Sequence, residues 1–438
     1  MIQKMCSIFF LCFLCFKPTI LLSANGKYLT NTSYHTIWNT SEGKIVVEKD
    51  VDLRGTVCIL PKDILLTFKG GVIRNGTLIG NNTELDWRGG VIFDNVKIDG
   101  SWKVQKISTE MFTDLSYNNG LKILFVLASP SIKNDILIDN GKYTVSATKK
   151  ENKCLIIPSN TRLMVKGEIR MKPNNLQRYS ILYAEGENIE ICGGGIIVGD
   201  KFSHTGTEGE WGMGINSHKA KNVSFSGLTI RDCWGDCIYV GGNSKNILIE
   251  NCTLDNGRRQ GISVTKADSV TIQRCSISNV GGTAPGYAID IEPNTGDTVD
   301  HVLIEKVVVK NCHGGVKATR SLKQSTEGKP LSWIGSVAVR YCDISAQIKF
   351  PALFKGCYSL LLSNCKIISA HAKPAIRAKS VSQVRIVENI IIDEDDLFSK
   401  AKRYAKKIFQ REGTELISIE GAKSQTVKAN KIINEYNR

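Results

Sequence analysis

Segments of one nine-residue pattern recur along the chain at an interval near two dozen residues. Asn222-Val-Ser-Phe-Ser-Gly-Leu-Thr-Ile aligns with Asn246-Ile-Leu-Ile-Glu-Asn-Cys-Thr-Leu and Ser269-Val-Thr-Ile-Gln-Arg-Cys-Ser-Ile. Ser336-Val-Ala-Val-Arg-Tyr-Cys-Asp-Ile and Ser359-Leu-Leu-Leu-Ser-Asn-Cys-Lys-Ile continue the series. Alternating apolar residues mark short strands with one buried face. A unit of this length cannot bury its apolar face alone, but stacked units can, and their strands then form parallel sheets along one axis. Steps of 24 residues (Val223 to Ile247) and 23 residues (Ile247 to Val270, Val337 to Leu360) set the coil, with insertions at Gly281–Tyr287 and Ser321–Trp333. The fold class expected is all-β: a right-handed parallel β-helix solenoid with a capping helix and a C-terminal amphipathic helix.

One position of the repeat holds Cys252, Cys275, Cys342 and Cys365, with Val307 in the coil between. Stacking sets these side chains about 4.8 Å apart and parallel, which disfavours the dihedral a disulfide requires. They are expected to be reduced, buried and interior. Each coil carries a further strand: Gly214-Ile-Asn, Cys237-Ile-Tyr-Val, Gly261-Ile-Ser-Val, Ala288-Ile-Asp-Ile, Gly315-Val-Lys-Ala and Ala375-Ile-Arg-Ala. Its outward row would be Asn216, Tyr239, Ser263, Asp290, Lys317 and Arg377. Leu115 to Ala128 has the spacing of a capping helix, and Asp395 to Arg411 reads as a charged amphipathic helix with acids first and bases last. Ile417 to Ile433 makes a last coil.

The boundaries expected are 1–24 as a signal peptide, 25–130 as an N-terminal β-rich section with its capping helix, and 131–438 as the parallel β-helix. Lys4, the apolar stretch Ile8–Phe16 and Ser23-Ala24 are the three parts of an export signal. Neither Cys12 nor Cys15 follows a clean lipobox, so lipid anchoring has weak support. No later run is long enough to span a membrane. The expected location is periplasmic, secreted or cell-surface. Lysine and arginine number 57 against 42 acids, a formal charge of +15. In an exported protein this favours acidic partners, polysaccharide before nucleic acid, for which no binding module is present.

These coils resemble the pectate-lyase-like β-helix superfamily from about Ile64 to Ile433. Gly235-Asp236-Cys237-Ile238 and Gln260-Gly261-Ile262-Ser263 are similar to the motifs of polygalacturonase-type glycoside hydrolases. Those enzymes carry Asp-Asp-Cys and, one coil later, His-Gly-x-Ser. Here Gly235 replaces the first aspartate, Gln260 the histidine, and Met213-Gly214-Ile215-Asn216 the Asn-Thr-Asp segment, so the resemblance carries over Asp236 alone as an acid. The pattern of Glu208–Trp211, Asp236, Arg258-Arg259-Gln260 and Asp290-Ile-Glu292 also resembles uncharacterised exported β-helix proteins of gut bacteria.

Four successive coils bring these groups to one edge of one sheet. Asp236 and Asp290, with Glu292 and Glu210 as alternative partners, are the candidate catalytic carboxyls of a hydrolase that flanks a glycosidic bond with two acids. Asp236 and Asp290 lie two coils apart, about 9–10 Å along the axis. Asp236 also suits a turn, and Glu292 precedes Pro293. Trp211, Tyr239, Arg258, Arg259, Gln260 and Lys317 are the candidate substrate-binding residues, the guanidiniums because they grip carboxylates bidentately. No metal-ligand spacing is present and no cofactor is called for; calcium is possible where acids gather but carries no signature. Three functions remain open: a glycoside hydrolase, a lyase on uronic acids using Arg258, Arg259 and Lys317, and a non-catalytic glycan-binding surface protein.

Overall fold

The computed structural model describes residues 19–21, 39–41, 43–116, 120–324, 328, 330–369, 374–393 and 416–434. The expected export signal, strand Thr19–Leu21 apart, and the expected helix over 395–411 lie outside these residues. The chain forms two compact units, residues 1–104 with 110–118 and residues 105–109 with 119–438. In the first, the glycine-bounded segments become two long parallel strands, Ile73–Asp86 and Phe93–Lys103, of an eight-stranded sheet. Phe68, Phe93 and Phe112 pack there ring to ring.

The second unit is the solenoid. Its strands form sheets of 12, 11 and 10 strands, and each coil but the terminal ones gives one strand to each. Every pairing between these strands is parallel, as in Val223, Ile247, Val270, Val302, Val337 and Leu360, which stand in register in the 12-stranded sheet. All six are buried, so the alternation seen in the sequence is the inner wall of the coil.

Left-handed residues turn the chain between sheets. Asn160, Asn188, Asn222 and Asn246 have φ of 55–59°, a region asparagine tolerates better than other residues with a Cβ. Their amides form a ladder, each Nδ2 donating to the Oδ1 one coil below at 2.9, 3.2 and 3.0 Å.

The cysteine position keeps its register through the 11-stranded sheet. Thr253, Ser276, Val308, Asp343 and Lys366 pair in order, each just after Cys252, Cys275, Val307, Cys342 and Cys365. All four thiols are free and buried. Each donates a weak bond to the carbonyl two residues earlier, at 3.2–3.3 Å. The same position is Gly167 in an early coil, where a Cβ would stand 2.2 Å from the carbonyl oxygen of Gly141. We predict that these thiols resist alkylation in the native protein and react as free thiols once it is unfolded. Mass mapping that found Cys252 bonded to Cys275 in most molecules would refute this.

The capping helix is shorter than its apolar spacing suggests. Lys122–Leu127 is helical and buries Ile123, Leu124 and Leu127. Residues 117–119 of the expected span lie outside the described residues. The last coil forms as expected, with strands Ile417–Glu420, Ser424–Lys428 and Lys431–Asn434.

Candidate functional site

Five consecutive strands of the 10-stranded sheet carry the site: β1 (Trp211–His218), β2 (Ile238–Gly241), β3 (Ile262–Val264), β4 (Tyr287–Ile291) and β5 (Gly314–Thr319). Their register lines up Asn216, Tyr239, Ser263, Asp290 and Lys317, so the outward row is as the sequence implies. Tyr183 precedes it by one coil. Leu353 separates Lys317 from Arg377, a coil that the sequence pattern passes over because its outward residue is apolar.

Three residues before the row stands a second set, Asp236, Gln260 and Tyr287, and each meets the row residue one coil on. Ser263 Oγ donates to Asp236 Oδ2 at 2.7 Å. Gln260 Nε2 donates to Asp290 Oδ2 at 2.7 Å, while its Oε1 accepts from the Tyr287 amide at 2.8 Å. The Lys317 ammonium stands 5.8 Å from the Tyr287 ring centre. This diagonal repeats because successive coils are in strict register.

Both candidate aspartates lie beneath cations. Asp236 is 0% exposed; Arg259 Nη1 donates to its Oδ1 at 3.3 Å and its Oδ2 at 3.1 Å. Burial pushes the Asp236 carboxyl above the usual range, opposed by Arg259 and the Ser263 bond. Asp290 is 2% exposed, with Lys317 Nζ at 3.4 Å from its Oδ1. Burial raises its pKa to about 7, with Lys317 opposing and Glu292 adding to the rise. Glu292, half exposed, takes the same ammonium at 3.0 Å. Glu210 Oε1 stands 3.5 Å from Arg259 Nε. Burial lowers the Arg259 pKa, but Asp236 and Glu210 outweigh it and hold the guanidinium charged.

Arg258 and Arg259 part company. The Arg258 guanidinium lies 3.6 Å from the centre of the Trp234 ring and donates to the carbonyls of Gly209 and Trp234 at 3.1 and 3.2 Å. It braces the 200–210 loop and touches neither aspartate, against the expectation that both arginines clamp carboxylates. His204 stacks on the Trp234 ring at 3.9 Å, and its Nδ1 is 2.8 Å from the buried Asp200.

An open groove of about 390 Å³ runs along the outer face of this sheet. Of the candidate binding residues, Trp211 (39% exposed), Tyr239 and Arg259 line it, and Arg258, Gln260 and Lys317 do not. Lys153, Arg178, Tyr183, Asn216, His218 and Thr265 also line it. The Lys153 ammonium sits 3.7 Å from the Tyr183 ring centre, and Arg178 lies 5.2 Å from the Trp211 ring centre. Tyr239 OH and Thr265 Oγ1 are 2.7 Å apart. Burial raises the Tyr239 pKa, so the phenol keeps its proton, and burial lowers that of His218, leaving a neutral imidazole.

The missing first aspartate of the polygalacturonase-type motif has a steric cause. A Cβ at Gly235 would stand 2.5 Å from the Glu210 carbonyl oxygen and 2.8 Å from the Gly212 amide nitrogen. The loop that delivers Glu210 and Trp211 occupies the space a side chain would need.

Residues 169–326 match a family model described as the right handed beta helix region. This stretch is a right-handed β-helix. Two Bacillus subtilis proteins are similar in sequence. The uncharacterized protein YclG is 34% identical over 40% of this chain and 34% of its own length. The SPbeta prophage-derived uncharacterized protein YorA is 30% identical over 43% and 35%. The matches thus span about a third of the length of these curated relatives. Among solved structures, the mannuronan C-5 epimerase AlgE6 A-module of Azotobacter vinelandii is 13% identical, with a TM-score of 0.47 over 69% of this chain and 91% of that one. An exopolygalacturonase of Thermotoga maritima is 13% identical, with a TM-score of 0.36 over 69% and 83%. Among the described residues, no helix of the β-helix protein is long and apolar enough to cross a membrane.

Proposed function

We propose that this protein is an exported carbohydrate-active enzyme that takes an acidic polysaccharide in the groove and cleaves it by β-elimination at a uronate. The observation that carries the reading is which groups meet the groove. Lys153, Arg178, Arg259, Trp211 and Tyr239 line it, whereas Asp236 and Asp290 do not and are 0% and 2% exposed, paired with Arg259 and Lys317, so a glycosidic bond in the groove meets cations and aromatic rings before it meets either acid. Arg259 accepts the uronate carboxylate and withdraws charge from it, which acidifies the hydrogen on the adjacent ring carbon. His218, neutral because burial disfavours its cation, is the base for that hydrogen. Tyr239, which keeps its phenolic proton, supplies one to the departing glycosidic oxygen. Trp211, the exposed aromatic of the groove, offers a flat face to a sugar ring. Asp236 and Asp290 are then positioning groups for Arg259 and Lys317.

Paired-carboxylate hydrolysis is the second reading, favoured by Asp290, which holds its proton up to about pH 7 and is thereby suited to a general acid. Incubation with a panel of uronate polysaccharides separates the two. Elimination gives products with the ultraviolet absorbance of an unsaturated uronate; hydrolysis gives reducing ends without it. Under the first reading we predict that His218→Asn lowers turnover by about 100-fold or more while binding persists. Unchanged turnover in that variant would remove His218 from the reaction.

A further inference from the structure

We infer that Glu210 is a built-in competitor for the uronate site: its carboxylate occupies Arg259 in the empty groove and a substrate carboxylate must displace it. This rests on the reading of the groove as an acidic-glycan site. Arg259 divides its guanidinium between two carboxylates of unlike standing. Nη1 is committed to Asp236, which is fully buried and, among the described residues, has no other cation in contact. Nε faces Glu210 Oε1 at 3.5 Å, yet makes no well-formed hydrogen bond and is itself buried. A buried donor without a partner costs more than one that is satisfied, so this edge of the guanidinium is under-used as it stands.

Glu210 is also the partner that can leave. Its side chain is 30% exposed, against 0% for Asp236. It sits between Gly209, at φ 86°, and Trp211 at the groove wall. Swinging into solvent costs a carboxylate little, whereas withdrawing Asp236 would strand a charge in the interior. The incoming group must therefore be an anion of carboxylate shape that out-competes Glu210, and a neutral or esterified sugar gains nothing by the exchange. Glu210 thereby taxes only the ligands that use Arg259: a carboxylate must displace it to gain the contact, and an ester leaves it in place.

The test is titration calorimetry of the full chain with a trigalacturonate, a trimannuronate and the methyl ester of each. Thermal unfolding of every variant establishes that it is folded. Glu210→Gln is expected to tighten binding of the free acids about fivefold to tenfold, the scale of one part-exposed ion pair, and to leave the esters unchanged. Glu210→Asp, which keeps the charge one methylene further back, should fall between the two. Arg259→Lys, which keeps a cation for Asp236 but loses Nε, should weaken the acids at least tenfold. If Arg259→Lys weakens binding while Glu210→Gln leaves it unchanged or weaker, the competitor role is overturned and the acidic-glycan reading stands. If Glu210→Gln tightens esters as much as acids, the role is also overturned. If wild type and all variants bind acids no better than esters, the acidic-glycan reading itself falls.

Discussion

Arg259→Gln is expected to destabilise the folded protein by about 3–5 kcal/mol at pH 7, the cost of breaking a buried ion pair by removing one partner. Asp236 is wholly buried, and its contacts are Arg259 and the Ser263 hydroxyl. Without the guanidinium, one hydroxyl must support the ionised carboxylate. The same removal deletes the influence that most opposes the burial-driven rise in the Asp236 pKa, so that pKa climbs further in the variant. The native state of Arg259→Gln then gives up the Asp236 proton less readily than the wild type does. Its deficit against the wild type should be largest at high pH and shrink as pH falls toward the unfolded carboxylate range. Adding Asp236→Asn should restore much of the loss at pH 7, because a neutral amide needs no cation. Urea unfolding of the two single variants and the double variant measures this directly. A double variant as unstable as the sum of the singles would mean that the pair is not coupled, and the positioning role of Asp236 would go with it.

The coil, its register and the outward row were legible because each rests on a period: alternation sets the buried face, and stacking turns equal positions into rows. Tyr183 escaped because Tyr179–Ala184 is buried on both faces in the structure, so the alternation that marks an outward residue is absent there. The contents of the site were less legible, for reasons of contact between coils. Arg258 and Arg259 are neighbours in sequence but leave the chain on different sides, one to the Trp234 ring and one to Asp236. No local pattern distinguishes them. The burial of Asp236 is likewise the work of residues far away in the chain, Arg259 on the next coil and the loop ending at Glu210. Gly235 shows the other limit: its lack of a side chain looks like a lost catalytic acid in the sequence, and in the structure it is the space through which that loop passes. Arg178 and Lys153, which make the groove more basic, lie one and two coils before Trp211.

Asp290 should make the protein less stable as pH rises from about 4 to 7, and Asp290→Asn should abolish that part of the dependence. The folded-state pKa is about 7 against an ordinary 3.8. Between these values the native state retains a proton that the unfolded chain has released, so unfolding is favoured progressively as pH increases. Below the lower value both states are protonated, and above the upper one both are ionised and the slope ends. The span corresponds to at most about 4 kcal/mol at 1.36 kcal/mol per unit. The physical source is desolvation: Lys317 compensates for it only in part, because the same ammonium also serves Glu292 at 3.0 Å. Asparagine fits the site. Its carbonyl can accept the bond from Gln260 Nε2 that Asp290 now accepts at 2.7 Å, and Lys317 retains Glu292. The variant should therefore lose ground to the wild type at pH 4.5 and gain on it at pH 8. Urea unfolding at four or five pH values across this window tests the claim. Parallel curves for the two proteins would mean that Asp290 titrates at its ordinary pKa, and with that the main support for its use as a general acid in the hydrolase reading would be gone.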